Sequence, residues 1–168
     1  MTMLSADLPA YGGDGWRHAA SWAEVESMIG AALDRGDRNT PGWLQVGRDL
    51  ETGEPGDFQL RVVADPDAGC AALLWFINVA PEEADDDELA QHLWVTFNPE
   101  PPLEAPLLAS DYDTEHFHDR FTVIDFEQAR EALRDFCRSG GQRPQSVQWV
   151  AGDYYGRILQ RLDVAGAA

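Results

Sequence analysis

Asp125-Phe126-Glu127-Gln128-Ala129-Arg130-Glu131-Ala132-Leu133-Arg134-Asp135-Phe136-Cys137-Arg138 is followed by Ser139-Gly140-Gly141 and then by Gln142-Arg143-Pro144-Gln145-Ser146-Val147-Gln148-Trp149-Val150. The first run reads as an amphipathic helix. Ala129, Leu133, Phe136 and Cys137 fall on one face at helical spacing, with charged residues between them. Asp125 is the expected N-cap, and Gln128 three residues on completes a capping box. The glycine pair stops the helix, because glycine adopts the left-handed turn that closes a helix end. Pro144 sets the turn into the next element, and Ser146 to Val150 reads as a short strand.

Upstream, Ser21-Trp22-Ala23-Glu24 is a second capping box. Val25, Met28, Ile29, Ala32 and Leu33 share the face of a helix that ends near Arg35-Gly36. Trp43 to Gly47, Phe58 to Val62 and Cys70 to Ile77 read as strands separated by the turn clusters at 52–56 and 65–69. Phe58 to Val62 alternates and is expected to be half-buried, whereas Cys70 to Ile77 is almost wholly apolar and is expected to be central. His92 to Phe97 resumes strand character, and the four prolines between Asn98 and Pro106 predict an extended connection. These readings give an α+β fold: one antiparallel meander of about four to six strands packed on two main helices. Residues 1–20 are expected to be a flexible arm, 21–151 the domain, and 152–168 a tail or short helix.

The chain has 168 residues, 44% of them hydrophobic, and a formal net charge of −18. All 12 of its basic residues are Arg. A strongly acidic chain repels the phosphate backbone of nucleic acid and anionic lipid headgroups, so neither is an expected partner. It favours a basic protein partner, since complementary fields speed encounter. Acidity also serves solubility alone, which is the bland alternative. The two cysteines lie in apolar runs and are expected to be buried free thiols of a reducing compartment. Met1 to Asp7 lacks the basic-then-apolar pattern of a secretory signal, and no apolar run is long enough to span a bilayer, so a cytoplasmic location is expected.

No catalytic motif is spelled out, and no cofactor is expected. Asp111, Asp113, His116 and His118 are residue types that bind metals, and a small metal site or enzyme using His116 and His118 is one reading. A polar surface loop is the other. The acidic run Glu82-Glu83-Ala84-Asp85-Asp86-Asp87-Glu88 lacks the glycine and ligand spacing of a calcium loop. It fits a solvated loop, or a mimic of phosphate charge facing a basic cleft. Cys137 on the apolar helix face reads as core.

Helix, Gly-Gly stop, Arg-Pro and a strand ending in Trp, carried by Ala129, Ala132, Phe136, Gly140, Arg143, Pro144, Val147 and Trp149, resemble the tail of a bacterial immunity-protein family. It is the first-numbered immunity family of the polymorphic toxin systems. The resemblance extends more loosely over residues 20–151. It implies an antidote that binds and blocks a cognate toxin, often a nucleic-acid deaminase or nuclease, without catalysis of its own. The matching residues look like keepers of the fold. The expected toxin contacts lie elsewhere: Glu82, Glu83, Asp85, Asp86, Asp87, Glu88, Trp94, Asp111, Tyr112, Asp113 and Glu115. An acidic adaptor that binds without inhibiting is a further alternative.

Overall fold

The computed structural model describes residues 2–13, 15–78, 93–111 and 115–159. Within them, α1 (Trp22–Leu33) and α2 (Phe126–Arg138) lie against one antiparallel sheet. Its strands are β1 (Leu4–Asp7), β2 (Arg17–Ala19), β3 (Gly42–Val46), β4 (Phe58–Asp65), β5 (Cys70–Ile77), β6 (Leu93–Phe97), β7 (Ile124–Asp125) and β8 (Gln148–Ala151). Spatial order is β2-β1-β3-β4-β5-β6-β8, with β7 paired to β5 off that path. The α+β class, with one antiparallel sheet on two helices, is therefore as the sequence predicts.

Both helices start as read. Ser21 and Asp125 each accept the backbone N–H of the third helical residue, and Glu24 and Gln128 reach back to close both capping boxes. At the end of α2, the Gly141 N–H donates to the Phe136 carbonyl at 2.8 Å and the Gly140 N–H to the Cys137 carbonyl at 3.3 Å. Gly140 has φ of 74°, so this is the two-bond Schellman closure that needs a residue in the left-handed region.

Three differences from the sequence reading have physical causes. Residues 1–20 do not simply trail off: β1 inserts between β2 and β3, pairing Ala6 with both Arg17 and Leu44. Leu4, Ser5, Ala6 and Leu8 are buried there, a run too short to stand out beside the glycines that follow. The meander is limited to β3 through β6, and the strand count exceeds six because β1, β2 and the two-residue β7 join it. β4 is buried on both faces from Leu60 to Asp65, not half-buried, because irregular chain covers the side away from the helices.

That two-sidedness organises the core. Leu44, Leu60, Val62, Leu73 and Trp75 face the helices and meet Ile29, Leu33, Leu133 and Phe136. On the other face, Val63, Cys70 and Ala72 are covered by Leu108 and Val123, and Leu74, Val95 and Val150 by Ile158. The covering residues lie in 98–111, 115–123 and 152–159. β5 changes partner midway, from β7 at Ala71 to β6 at Leu74. The Thr96 hydroxyl fills the gap: it accepts the Leu73 N–H at 3.2 Å and donates to the Thr122 carbonyl at 2.7 Å. Both cysteines are free and buried, and burial pushes the Cys137 thiol up to about 12, which leaves it protonated and unreactive.

Candidate functional site

The face opposite the helices carries the unusual chemistry. Arg61, in the middle of β4, points there and is 1% exposed. Burying a guanidinium costs several kcal/mol unless it is hydrogen-bonded and paired (about that order). Its Nη2 donates to the Tyr154 carbonyl at 2.7 Å. The guanidinium lies 4.9 Å from the Tyr154 ring centroid and 5.8 Å from that of Trp43. Among the described residues, Nε and Nη1 have no hydrogen-bond partner. Burial brings the Arg61 pKa down to about 10 against the opposing pull of Tyr154, Asp111 and Asp153, so it stays a cation at neutral pH.

His118 lies beside this charge. Burial first, and the Arg61 charge second, push its pKa down to about 3, so the ring is neutral at neutral pH. Both ring nitrogens are buried with no hydrogen-bond partner among the described residues. Gly156 packs on the ring so closely that a Cβ would overlap it, and its φ of 75° is one that glycine tolerates. The Asp119 N–H donates to the Gly156 carbonyl at 2.9 Å. One Asp153 carboxylate oxygen accepts the N–H groups of Tyr155 at 2.9 Å and Arg157 at 3.0 Å. Residues 153–157 thus form a closed turn, strapped across Arg61 and His118.

The strap displays aromatic rings. Tyr154 and Tyr155 meet edge to face, with centroids 5.7 Å apart. The His116 ring lies 4.2 Å from Tyr155, and Arg157 Nη2 is 3.3 Å from His116 Nδ1. Ala109 and Phe117 form an isolated bridge, and alternation about it turns His118 inward while Phe117 stays exposed. Both histidines meet the turn, His116 at Tyr155 and Arg157 and His118 at Gly156. Among the described residues, no group of three or more His, Cys, Asp or Glu is placed to hold a metal.

The expected contact residues scatter. Glu82, Glu83, Asp85, Asp86, Asp87, Glu88, Tyr112 and Asp113 lie outside the described residues. Asp111 is partly buried in the loop near Arg61, whose charge it supports, and Glu115 is exposed in the same loop. Trp94 is on the opposite face. It packs against the helix-side core, and the Arg143 guanidinium stacks 4.1 Å from its ring centroid. Arg143 thus meets an aromatic face. The sequence reading misses Arg61, Tyr154, Tyr155 and Phe117. A charged residue within a strand at Arg61 was the available signal; the rings are joined only by the fold.

The residues of the Arg-Pro pattern support packing. Ala129, Ala132 and Phe136 are fully buried. Trp75 Nε1 donates to the Gly141 carbonyl at 2.9 Å, and Trp149 Nε1 to the Pro144 carbonyl at 2.7 Å. Val147 and Trp149 pack on the same core. A family model described as Immunity protein Imm1 matches residues 13–151. A search of curated proteins finds no match.

Proposed function

The chain belongs to the Imm1 immunity protein family, and from that premise we propose that it neutralises a toxin of its own cell or kin by binding it stoichiometrically. The match over residues 13–151 is the observation that carries this reading. The toxin is a nucleic-acid-targeting deaminase or nuclease, whose substrate cleft is basic because its substrate is a polyanion. The protein works in the cytoplasm, without catalysis and without touching nucleic acid itself. Acidic residues at 82–88, with Asp111, Asp113 and Glu115, occupy that cleft, and Tyr112 adds contact area at its margin; Trp94, on the opposite face, would have to reach the toxin separately. The net charge of −18 supports this arrangement, since charge complementarity raises association rates. No helix among the described residues is long and apolar enough to cross a membrane.

Co-expression with the protein encoded beside it is the test. Survival of cells that the neighbour alone kills, together with a co-purifying complex, is the expected result. Toxicity that this chain neither relieves nor binds would remove the reading.

A further inference from the structure

Eight large hydrophobic side chains are exposed among the described residues: Trp22, Leu50, Leu103, Leu107, Phe117, Tyr154, Tyr155 and Leu159. All but Trp22 and Leu50 lie in the segments that cover the loop face. Scattered exposed apolar residues need no explanation, but a one-sided concentration marks an interaction surface. Phe117, Tyr154 and Tyr155 are 37%, 42% and 37% exposed; the two tyrosines touch each other, and Tyr155 touches His116. Tyrosine is enriched among residues that dominate binding energy, because it offers wide contact area with few rotatable bonds.

The rings are held in place at a cost to the fold. An apolar residue at position 61 would cover this part of the sheet without burying a charge. Arg61 instead fixes the Tyr154 carbonyl, and Asp153, Gly156 and His118 fix the rest of the turn. Preorganised rings lose less freedom on binding than mobile ones do. Carboxylates flank them: Asp111 and Asp153 lie within electrostatic reach of Arg61 beside Tyr154, and Glu115 is the neighbour of His116 in the chain. The Arg157 guanidinium already lies 5.9 Å from the Tyr155 ring centroid. Aromatic faces attract cations, more strongly once water is excluded.

We propose that Phe117, Tyr154 and Tyr155, framed by Asp111 and Glu115, form the centre of the toxin-binding face, and that they receive an arginine- or lysine-bearing surface of the toxin. The proposal rests on the immunity reading and adds the residues that anchor it. The acidic residues steer the encounter, and the rings slow dissociation.

The probe is the neighbour-encoded toxic protein, carrying a substitution that abolishes its toxicity. Tyr155→Ala and Phe117→Ala should each weaken its binding at least tenfold, chiefly by faster dissociation, and a Tyr154→Ala/Tyr155→Ala pair a hundredfold or more. Trp22→Ala, on the helix side, should change it less than threefold. Hydrogen exchange on the unmutated protein gives a measurement independent of how the variants fold. Complex formation should protect residues 115–118 and 153–157. Wild-type affinity in all three variants, or no protection there, would overturn the placement while leaving the immunity reading intact. Failure of the unmutated chain to bind or rescue would overturn both. A free protein that is dimeric and becomes monomeric on Tyr155→Ala would reassign the rings to self-association.

Discussion

Arg61 and His118 show how a single position can set both stability and order. Replacing Arg61 by Met removes a buried charge and keeps most of the volume. Global stability should then change little or rise, while amide exchange across 153–157 speeds up because the Tyr154 carbonyl has lost its donor. Denaturant melts and exchange measured side by side would separate the two effects; slower or unchanged exchange would deny Arg61 its anchoring role. For His118, the folded pKa near 3 lies below the ordinary 6.5. Between those values the unfolded chain binds a proton that the folded chain refuses. Stability is therefore full above about pH 6.5 and declines as pH falls toward 3. His118→Leu should flatten that acid limb in melts taken between pH 6.5 and about 4, the remaining slope belonging to carboxylates such as Glu26, whose pKa the Arg134 hydrogen bond lowers. Neither residue announced itself in the sequence as buried. Arg61 alternates with apolar neighbours like any outward-facing strand residue, and only the chain folded over it makes it internal.

At the scale of elements, legibility followed the range of the interaction. The ends of α1 and α2 could be read because a cap is decided by residues three apart. Asp125→Ala should cost about 1 kcal/mol in thermal or chemical melts, since it leaves the Gln128 N–H without its acceptor. β5 could be read as central from composition alone. β1 and β2 could not, because short strands carry little pattern and their partners are set by distant chain. The strap was invisible for the same reason: its order comes from Arg61, 93 residues away. Gly156 is its most sensitive joint. Gly156→Ala forces a side chain into a positive φ and against the His118 ring, and should lower stability by more than about 1 kcal/mol. An unchanged melting curve would mean that the turn is softer than its hydrogen bonds indicate.

Over the whole molecule, the sheet divides labour: one face is closed by helices that satisfy their own backbones, the other by loops pinned by side chains. The sequence made the class legible but not the division, since no local pattern says which loop returns to which face. Charge was legible in full, and it bears on kinetics. With −18 on the chain, raising salt should slow association with a basic toxin far more than it speeds dissociation. A stopped-flow series with a salt-independent on-rate would remove electrostatic steering from the account. The long reach of the Arg61 to Tyr154 hydrogen bond has a consequence in time. A ribosome adding on the order of 5–20 residues per second delivers Tyr154 only several seconds after Arg61. Through that interval the nascent sheet holds a cation with no lid, and the rings it will anchor do not yet exist. Protection that depends on those rings cannot begin cotranslationally from the early strands; it waits for residues 153–157 to be made and to close over Arg61. A cell that makes toxin and antidote from one message would then be safest when the antidote has a head start.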